Sequence, residues 1–243
     1  RARAACALPV CPNCSRRSNS AGCCERAACC ERERDSHVSA VLIIAEHAQD
    51  RLNASTARCV SCAQQLLAAD GAAGAGGGAA GGGAAAGTID IAVLAADAGA
   101  IAAQAAALGG VRRVITVERA QNAEAIAAIL APQVTALAPG YTHVFGPSTT
   151  FGKDLMPRVA ALLGVGQVSD IMTVESARRF RRPVYAGNAV ITVEATGSVV
   201  VATVRTASFQ PAAPGAAAAP IEAVALQVEL PAHTRFISRE RKS

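Results

Sequence analysis

Short apolar runs alternate with amphipathic stretches along this chain, and their order predicts a parallel β-sheet covered by helices. Residues 38–46 (VSAVLIIAE) and 88–95 (TIDIAVLA) are almost continuously apolar, as is typical of strands buried on both faces. Helix-length segments with one apolar face separate such runs, and crossovers of that length suit parallel neighbours. In chain order, the predicted elements are strand 38–46, helix 55–69, strand 88–95, helix 98–108, strand 111–117, helix 123–137 and strand 142–145.

Local signals set several helix boundaries. Asn53 or Ser55 is expected to cap the first helix, because a side-chain oxygen at that position accepts a hydrogen bond from an unpaired helix N–H. Gly109-Gly110 is expected to close the second helix, since glycine adopts the left-handed backbone of a helix end. Pro132 is expected to kink or restart the third helix, because proline has no N–H to donate.

The stretch 142–206 combines apolar periodicity, turn residues and positioned charges over more residues than any other part of the chain. After the strand at its start, residues 146–153 form a loop that leads into a helix. Val159, Leu162 and Leu163 are expected to face the sheet from that helix.

The chain beyond this helix reads as extended. Residues 167–174 form one extended segment, and segments 189–194 and 199–206 alternate like two antiparallel strands joined by a turn at Thr196-Gly197. Together these elements predict an α/β fold: a three-layer α/β/α arrangement with a mostly parallel sheet and a short antiparallel strand pair.

Residues 1–37 lack apolar periodicity and hold seven of the nine Cys residues. Up to Gly22 the segment is rich in Arg, Ala and Ser and contains no acid, which is typical of an organelle transit peptide. A disordered tail or a gene-model artefact explains the segment equally well. Cys11-x-x-Cys14 and the Cys pairs after it also suggest a zinc site. Adjacent cysteines, however, lack the two-residue gap of most zinc knuckles.

Residues 71–87 are a low-complexity run of Gly and Ala. The run contains a formal G-x-G-x-x-G at Gly76, Gly78 and Gly81, yet it follows a helix and precedes a strand. A dinucleotide-binding loop has the opposite context. The run is therefore interpreted as a flexible insertion.

The net charge of +5 is concentrated at the two ends of the chain. Residues 1–37 contribute +3 and residues 235–243 another +3, which leaves −1 for the body at 38–234. A nearly neutral body argues against a nucleic-acid partner, which needs clustered basic residues. No apolar run approaches the roughly 18 residues of a membrane span, so direct membrane insertion is not expected.

Three polar residues follow predicted strands and mark a possible ligand crevice. His47, Asp97 and Ser148 come just after strands, and ligands of such sheets bind beyond the carboxyl ends of the strands. For His47, an ordinary loop position is the simpler interpretation.

The loop from Gly146 to Lys153 resembles a phosphate-binding loop but fails on its spacing. Five residues separate Gly146 from Gly152, where the nucleotide-triphosphatase loop has four, and Asp154 replaces the Ser or Thr that contacts magnesium. A tight strand-to-helix turn is preferred, with Ser148, Thr149 and Thr150 satisfying backbone donors.

The remaining candidates favour structural roles. Cys59 and Cys62 share one helix face and suggest either a redox pair or, more simply, small buried residues. Arg158 is expected to pair with Asp170, and the Arg-rich segment around Phe180 is interpreted as a solvated face or a partner surface. The body shows no nucleophile set and no metal-ligand spacing, so no catalytic, cofactor-binding or metal residue is assigned.

The central stretch resembles a known family. THVFGPSTTFGKDLMPRVAALL at 142–163, QVSDI at 167–171 and FRRPVYAGNAVITV at 180–193 are similar to the alpha subunit of electron-transfer flavoprotein, and VLIIAEH and VLAAD in the first half also fit. The resemblance covers about residues 38–210. It implies that family's amino-terminal domain, which is Rossmann-like and adenine-nucleotide alpha-hydrolase-like.

The resemblance implies an electron carrier rather than an enzyme. Members pair with a beta subunit and pass electrons from acyl-CoA and related dehydrogenases of fatty acid β-oxidation to a membrane quinone oxidoreductase. Their FAD lies mainly in a carboxyl-terminal domain, after an SGGRG-type motif. The implied compartment is the mitochondrial matrix, with a bacterial cytoplasm as the alternative.

This sequence departs from the family in one respect that affects function. It contains no SGGRG motif, and HTRFISRERKS at 233–243 resembles the lead-in to the FAD domain. The expected domains are therefore a tail or transit peptide at 1–37, the family domain at 38–210 and a linker at 211–243, with a Pro/Ala-rich part at 211–220, before a FAD domain that this sequence lacks. The chain alone is not expected to hold FAD. The alternative function is a stand-alone nucleotide-binding or subunit-docking module of the same fold without flavin.

Overall fold

The computed structural model describes residues 39–74, 87–234 and 236–238. The chain divides into two units, Arg1–His37 and Val38–Ser243. The first unit lies outside the described residues, and the transit-peptide and zinc hypotheses lie there with it. Residues 75–86 of the Gly/Ala run are likewise outside the described part, while residues 71–74 extend the preceding helix.

Twelve strands occur in the described chain, and seven of them form one sheet. In chain order the strands are β1 Ala40–Ile44, β2 His47–Ala48, β3 Arg51–Leu52, β4 Thr88–Ala95, β5 Arg113–Glu118, β6 His143–Pro147, β7 Gln167–Ile171, β8 Thr173–Val174, β9 Arg179–Val184, β10 Ala189–Glu194, β11 Val200–Val204 and β12 Ile221–Ala223. The order across the large sheet is β12-β5-β4-β1-β6-β11-β7. Every neighbouring pair in it is parallel, which confirms the predicted sheet type.

Two helical layers cover the two faces of this sheet. The helices are α1 Ala54–Gly74, α2 Gly99–Ala106, α3 Ala127–Leu137 and α4 Thr150–Leu163. Helices α1 and α2 pack against one face, where Val41 and Ile43 of β1 point. Helices α3 and α4 pack against the other face, with Leu42 and Ile44. All four β1 side chains are fully buried, and each contributes about 1.5–3 kcal/mol of hydrophobic stabilisation.

Asn53, one of the two predicted caps, caps α1. Its Oδ1 accepts from the Ser55 N–H at 3.0 Å, which satisfies a donor in the first helical turn. Ser55 instead donates its hydroxyl to Glu46 at 2.6 Å. Helix α3 begins at Ala127 rather than at residue 123, after a 3₁₀ turn at Ala120–Ala123, and Pro132 lies within it.

The predicted antiparallel pairing of 189–194 with 199–206 is wrong. Strand β10 pairs antiparallel with β9, and β9 pairs with β8, in a separate three-stranded sheet. Strand β11 enters the large sheet between β6 and β7 instead. All five β11 residues are buried, as a central parallel strand requires, whereas most of β10 is exposed.

One of the three residues expected to face the sheet from α4 does not. Val159 is fully buried and Leu163 packs against the core, but the side chain of Leu162 is 51% exposed. The buried stripe of α4 also contains Leu155 and Met156. Residue 162 falls outside that stripe because each residue turns the helix by about 100°.

The predicted Arg158–Asp170 ion pair is also wrong. Asp170 lies at the end of β7 and pairs with Arg205, whose Nη1 is 3.1 Å from its Oδ2. Strand β11 is the neighbour of β7, and Arg205 directly follows β11, which places it beside Asp170.

The Pro/Ala-rich segment at 211–220 lies along the domain. The Gly109 N–H donates to the Ala213 carbonyl at 2.9 Å, and the N–H groups of Gly215 and Ala219 donate to Ala107 and Ala106 at 2.8 Å. The segment then continues into β12, the edge strand beside β5. That a further domain follows the predicted linker at 211–243 stays a prediction.

Within the described ranges, no helix combines the length and the apolar character that a membrane span needs.

Candidate functional site

His47, Asp97 and Ser148 lie at the predicted edge, beyond the carboxyl ends of β1, β4 and β6. The strand order reverses direction between β1 and β6, which is where sheets of this type bind ligands. Asp97 accepts from the Gly99 N–H at the start of α2, with an O···N distance of 3.2 Å. The edge therefore has the predicted position. Two of its buried polar atoms, His47 Nδ1 and Ser148 Oγ, have no hydrogen-bond partner among the described residues.

His47 follows β1 in the short β2–β3 hairpin. One of its ring nitrogens, Nε2, lies 3.0 Å from the Leu94 carbonyl oxygen at the end of β4, and the ring thereby donates to the backbone. The other nitrogen, Nδ1, is buried and has no hydrogen-bond partner among the described residues. The hydrogen bond to Leu94 holds the β2–β3 hairpin against β4.

The loop after β6 is the predicted tight strand-to-helix turn. Of the three side chains expected to satisfy backbone donors, Thr149 alone does so among the described residues, and the buried Ser148 Oγ has no hydrogen-bond partner there. The Ser148 N–H donates to the Val204 carbonyl at 2.7 Å, and Thr149 accepts from the Gly152 N–H at 3.5 Å as the cap of α4. A Cβ placed on Gly152 would lie 1.8 Å from the Pro147 carbonyl oxygen. The turn thus packs on its own strand and consumes donors that a phosphate would need.

Cys59 and Cys62 are small core residues of α1. Both are free and have no exposed surface. Burial raises the pKa of each thiol well above its ordinary value, and Glu46 adds to the effect at Cys59. Because the thiolate is the reactive form, these residues are unsuited to redox exchange.

An ion-pair network on β4 was not predicted from the sequence. Asp90 is fully buried, and its Oδ1 and Oδ2 accept from Arg112 Nε and Arg113 Nε, both at 2.8 Å. The Tyr141 hydroxyl donates to Oδ2 at 2.5 Å. Arg113 also pairs with Glu222 of β12 at 2.7 Å. The network joins β4, β5, the turn before β6 and the edge strand.

The environment of Asp90 keeps its carboxylate charged. Burial acts to raise the pKa of Asp90, but hydrogen bonds from Arg112, Tyr141 and Arg113 outweigh it and hold the pKa below its ordinary value. A carboxylate that is ionised at neutral pH and hydrogen-bonded through both oxygens suits a structural anchor. The sequence signal was one Asp inside an apolar strand, followed by Arg112-Arg113 before the next strand.

His143, at the start of β6, is a second buried polar anchor. Its Nε2 donates to the Ala177 carbonyl at 2.7 Å, and its Nδ1 accepts from the Thr142 hydroxyl at 2.7 Å. Burial lowers the pKa of His143 to about 4, so the ring is neutral at physiological pH. The bond to Ala177 fixes the segment that leads into β9.

A small pocket lies at the carboxyl end of β10. It has a volume of about 190 Å³ and is lined by residues 166–168, Arg182 and residues 193–197. The described residues contain no cluster of three or more His, Cys, Asp or Glu side chains suited to a metal ion.

The domain is thus defined by its parallel strand order, its two helical layers and the turn after β6. The sequence pattern of the electron transfer flavoprotein domain matches residues 41–229. The chain belongs to the electron transfer flavoprotein family. The match begins within β1 and extends past β12, so it includes the large sheet, the three-stranded sheet and the segment along the domain edge.

Individual relatives agree with this assignment. The chain is 37% identical to the electron transfer flavoprotein subunit alpha of Pseudomonas aeruginosa over 185 residues, which cover 76% of this chain and 54% of that protein. It is 34% identical to the mitochondrial subunit alpha of Dictyostelium discoideum over 186 residues, covering 73% and 47% of the two chains. It is 42% identical to the subunit alpha of Paracoccus denitrificans over 138 residues, covering 56% and 45%. The chain spans about half the length of these relatives.

Proposed function

We propose that this chain acts as an electron-carrier subunit of a heterodimeric electron transfer flavoprotein. In this proposal the assembled protein accepts electrons from acyl-CoA and related dehydrogenases and delivers them to a quinone oxidoreductase. The observation that supports it is the family match from within β1 to beyond β12, together with relatives that are named alpha subunits.

FAD is the cofactor of the proposed complex, and two places in the described chain can be tested for it. The pocket beside Arg182 has a volume of about 190 Å³, whereas cofactor sites have roughly 300–1,000 Å³. At the carboxyl edge of the sheet, the turn after β6 uses the Ser148 and Gly152 N–H groups internally. Neither place fits FAD, so we propose that this chain alone does not hold the flavin tightly.

A visible spectrum tests the cofactor proposal directly. The 243-residue chain is purified in the presence of FAD and desalted, and its absorbance is measured near the flavin bands. We expect no stoichiometric flavin with the chain alone. A stoichiometric flavin band would overturn this proposal. A thermal shift with AMP or ATP at micromolar concentration, without a beta subunit, would favour the alternative of a stand-alone nucleotide-binding module.

We propose the mitochondrial matrix as the compartment. The mitochondrial relatives in Dictyostelium discoideum and Caenorhabditis elegans support it, while the Pseudomonas aeruginosa relative makes a bacterial cytoplasm the alternative. Cell fractionation of the source organism tests the proposal. The chain should sediment with matrix markers, and recovery in the cytosolic fraction would contradict the proposal.

A further inference from the structure

The segment after β11 wraps around one edge of the large sheet. Its Ala212 and Ala219 pack against the core on the side of α1 and α2, whereas Val224 and Leu226 pack against the core on the side of α3 and α4. Between these pairs, β12 lies beside β5 as the edge strand. We call residues 211–229 the strap, because they run around β5 from one helical layer to the other.

The strap buries little apolar surface. Every residue from 211 to 229 is exposed or half-buried. Residues 211–220 consist of Pro, Ala and Gly, so this half of the strap has no large apolar side chain to bury. All of β12 is exposed, with Ile221 at 48%. Because hydrophobic stabilisation is proportional to the buried apolar area, polar contacts have to hold the strap in place.

Backbone hydrogen bonds supply part of these polar contacts. The first half of the strap is bonded to the end of α2. Beside β5, the Val114 N–H donates to the Pro220 carbonyl and the Val224 N–H donates to the Thr116 carbonyl, both at 2.9 Å. Since the strap residues are exposed, water can replace these bonds when the strap moves away, and their net contribution to stability is modest.

Two arginines in and after β5 hold the second half of the strap. Arg119 Nη1 donates to the Val228 carbonyl at 3.1 Å, and its Nη2 donates to the Leu226 carbonyl. Arg113 Nη1 lies 2.7 Å from Glu222 Oε2, but the Glu222 side chain is 48% exposed, and exposed ion pairs contribute little. Arg119, with two charge-assisted hydrogen bonds, therefore makes the stronger contact.

The residues just before the strap are anchored more firmly. Phe209 is 3% exposed and packs into the core. Arg58 of α1 donates from Nη1 to the carbonyls of Thr206 and Phe209, at 2.9 and 2.8 Å. A buried aromatic ring and two charge-assisted hydrogen bonds fix this end of the segment, so any movement of the strap begins after Phe209.

We propose that the strap opens and recloses as one unit while the large sheet stays folded, with Phe209 as its fixed end and Arg119 as the residue that holds it closed. Proteins open locally where few apolar contacts are buried and backbone hydrogen bonds lie near solvent. The strap has both properties, whereas residues 41–44 of β1 are fully buried. Opening leaves β5 as the edge of the sheet, so the strap is a removable cover of that edge.

Amide hydrogen exchange of the full chain, followed by NMR at increasing low concentrations of urea, tests the proposal. The strap is reported by the N–H groups that its opening releases, which are those of Gly215, Ala219, Val224 and Val114. The N–H groups of β1 report the interior of the sheet. After correction for intrinsic rates, we expect the strap amides to exchange together and about tenfold or more faster than those of β1. Their exchange should also depend less on urea, because opening the strap exposes little surface.

Two variants separate opening of the strap from unfolding of the sheet. Arg119→Gln removes charged donors from the closed strap, so the strap amides should exchange about tenfold faster. Ile43→Val removes a methyl group from the fully buried interior of β1. It should speed exchange in β1 by about fivefold and leave the strap amides unchanged, because the sheet stays folded when the strap opens. Arg158→Gln is the control for loss of an arginine, since Arg158 is exposed on α4, and it should change neither rate.

A third variant tests whether the strap opens as one unit. A Cβ at Gly109 would lie 2.9 Å from the Ala213 carbonyl oxygen, whereas a Cβ at Gly166 meets nothing within 4 Å. Gly109→Ala should therefore push on the first half of the strap, yet speed exchange by about fivefold as far away as Val224. Gly166→Ala is the matched control and should leave the strap amides unchanged.

Four results would overturn the proposal. Strap amides that match those of β1 in rate and in urea dependence would show that the strap opens only when the whole domain unfolds. Equal acceleration of the strap and of β1 by Ile43→Val would show the same. Acceleration by Gly109→Ala that stops short of Val224 would show that the strap does not open as one unit. Equal strap exchange in Arg119→Gln and Arg158→Gln would show that Arg119 does not hold the strap closed.

Discussion

Asp90 shows how a single buried charge organises this domain. Its carboxylate is fully enclosed, yet two guanidinium groups and one hydroxyl reach it from two other parts of the chain, Arg112-Arg113 and Tyr141. Burying an isolated carboxylate is very costly, so such a residue persists only where every oxygen is paired. Asp90 therefore fixes the positions of Arg112, Arg113 and Tyr141 relative to β4.

The substitution Asp90→Asn should destabilise the domain. Breaking a buried ion pair costs roughly 3–5 kcal/mol, but the Arg112 side chain is 49% exposed and regains water when it is released. We therefore expect a loss of about 2 kcal/mol in the free energy of unfolding, measured by urea denaturation. Asp97→Asn is the control, because that residue is exposed and its substitute still accepts from Gly99; a loss as large for Asp97→Asn would contradict the account.

His143 makes stability depend on pH. The ring is 3% exposed and neutral, and burial lowers its pKa from 6.5 to about 4. The unfolded chain therefore binds a proton at a higher pH than the folded chain does. Stability is fully present above pH 6.5 and is lost as the pH falls towards 4.

His143→Gln removes this titration, so the two proteins should differ in slope. Between pH 7 and pH 4, the free energy of unfolding of the unchanged chain should fall by about 3 kcal/mol more than that of the variant. Urea denaturation across that range measures the difference. Parallel pH profiles would show that His143 does not titrate as its burial requires.

At the scale of elements, the turn between β6 and α4 depends on one close approach. Gly152 faces the Pro147 carbonyl so closely that a Cβ would lie 1.8 Å from the oxygen. A methyl group there requires the helix to move away from the strand that it follows.

Gly152→Ala should therefore be among the most damaging single-methyl additions. We expect a loss of about 3 kcal/mol or more in the free energy of unfolding, at the upper end for overpacked sites. Gly166→Ala is the matched control, since a Cβ at Gly166 meets nothing within 4 Å. Equal melting temperatures for the two variants would disprove the close approach.

The hydrophobic pattern of the sequence predicted the helices and strands, but it did not predict the pairing of β11. The run at 88–95 became β4 with the same bounds, because eight nearly apolar residues indicate a fully buried strand. Strand β11 looked like the partner of β10 because the two are joined by a short turn. Its five buried residues instead lie between β6 and β7. The burial of these apolar side chains in the large sheet outweighed the short turn, which had indicated a hairpin with β10.

The site was less predictable than the fold for a physical reason. The order of strands and helices predicts that His47 and Ser148 lie at the carboxyl edge of the sheet. Whether their polar atoms are free to bind a ligand depends on contacts with residues far away in the sequence. The Val204 carbonyl occupies the Ser148 N–H from 56 positions away. Likewise, the buried Nε of Arg182 has no hydrogen-bond partner among the described residues. The sequence cannot show this, because Arg178, Arg179 and Arg181 look the same there.

At the scale of the whole molecule, we propose that this chain is one half of a heterodimeric electron carrier. The large sheet forms the body of the domain, and the Asp90 network joins it to the edge strand β12 through Arg113 and Glu222. Strands β8, β9 and β10 form a separate three-stranded sheet. Residues 41–229 carry the family pattern. In the proposed complex, the flavin lies neither in the pocket beside Arg182 nor at the carboxyl edge of the large sheet.

The most direct test is the mass of the purified assembly. The full chain is co-expressed with the beta subunit of the same organism, only one of the two is tagged, and the product is measured by size-exclusion chromatography with light scattering. We expect a single species with one copy of each chain. Recovery of this chain alone, beside an excess of the partner, would contradict the account.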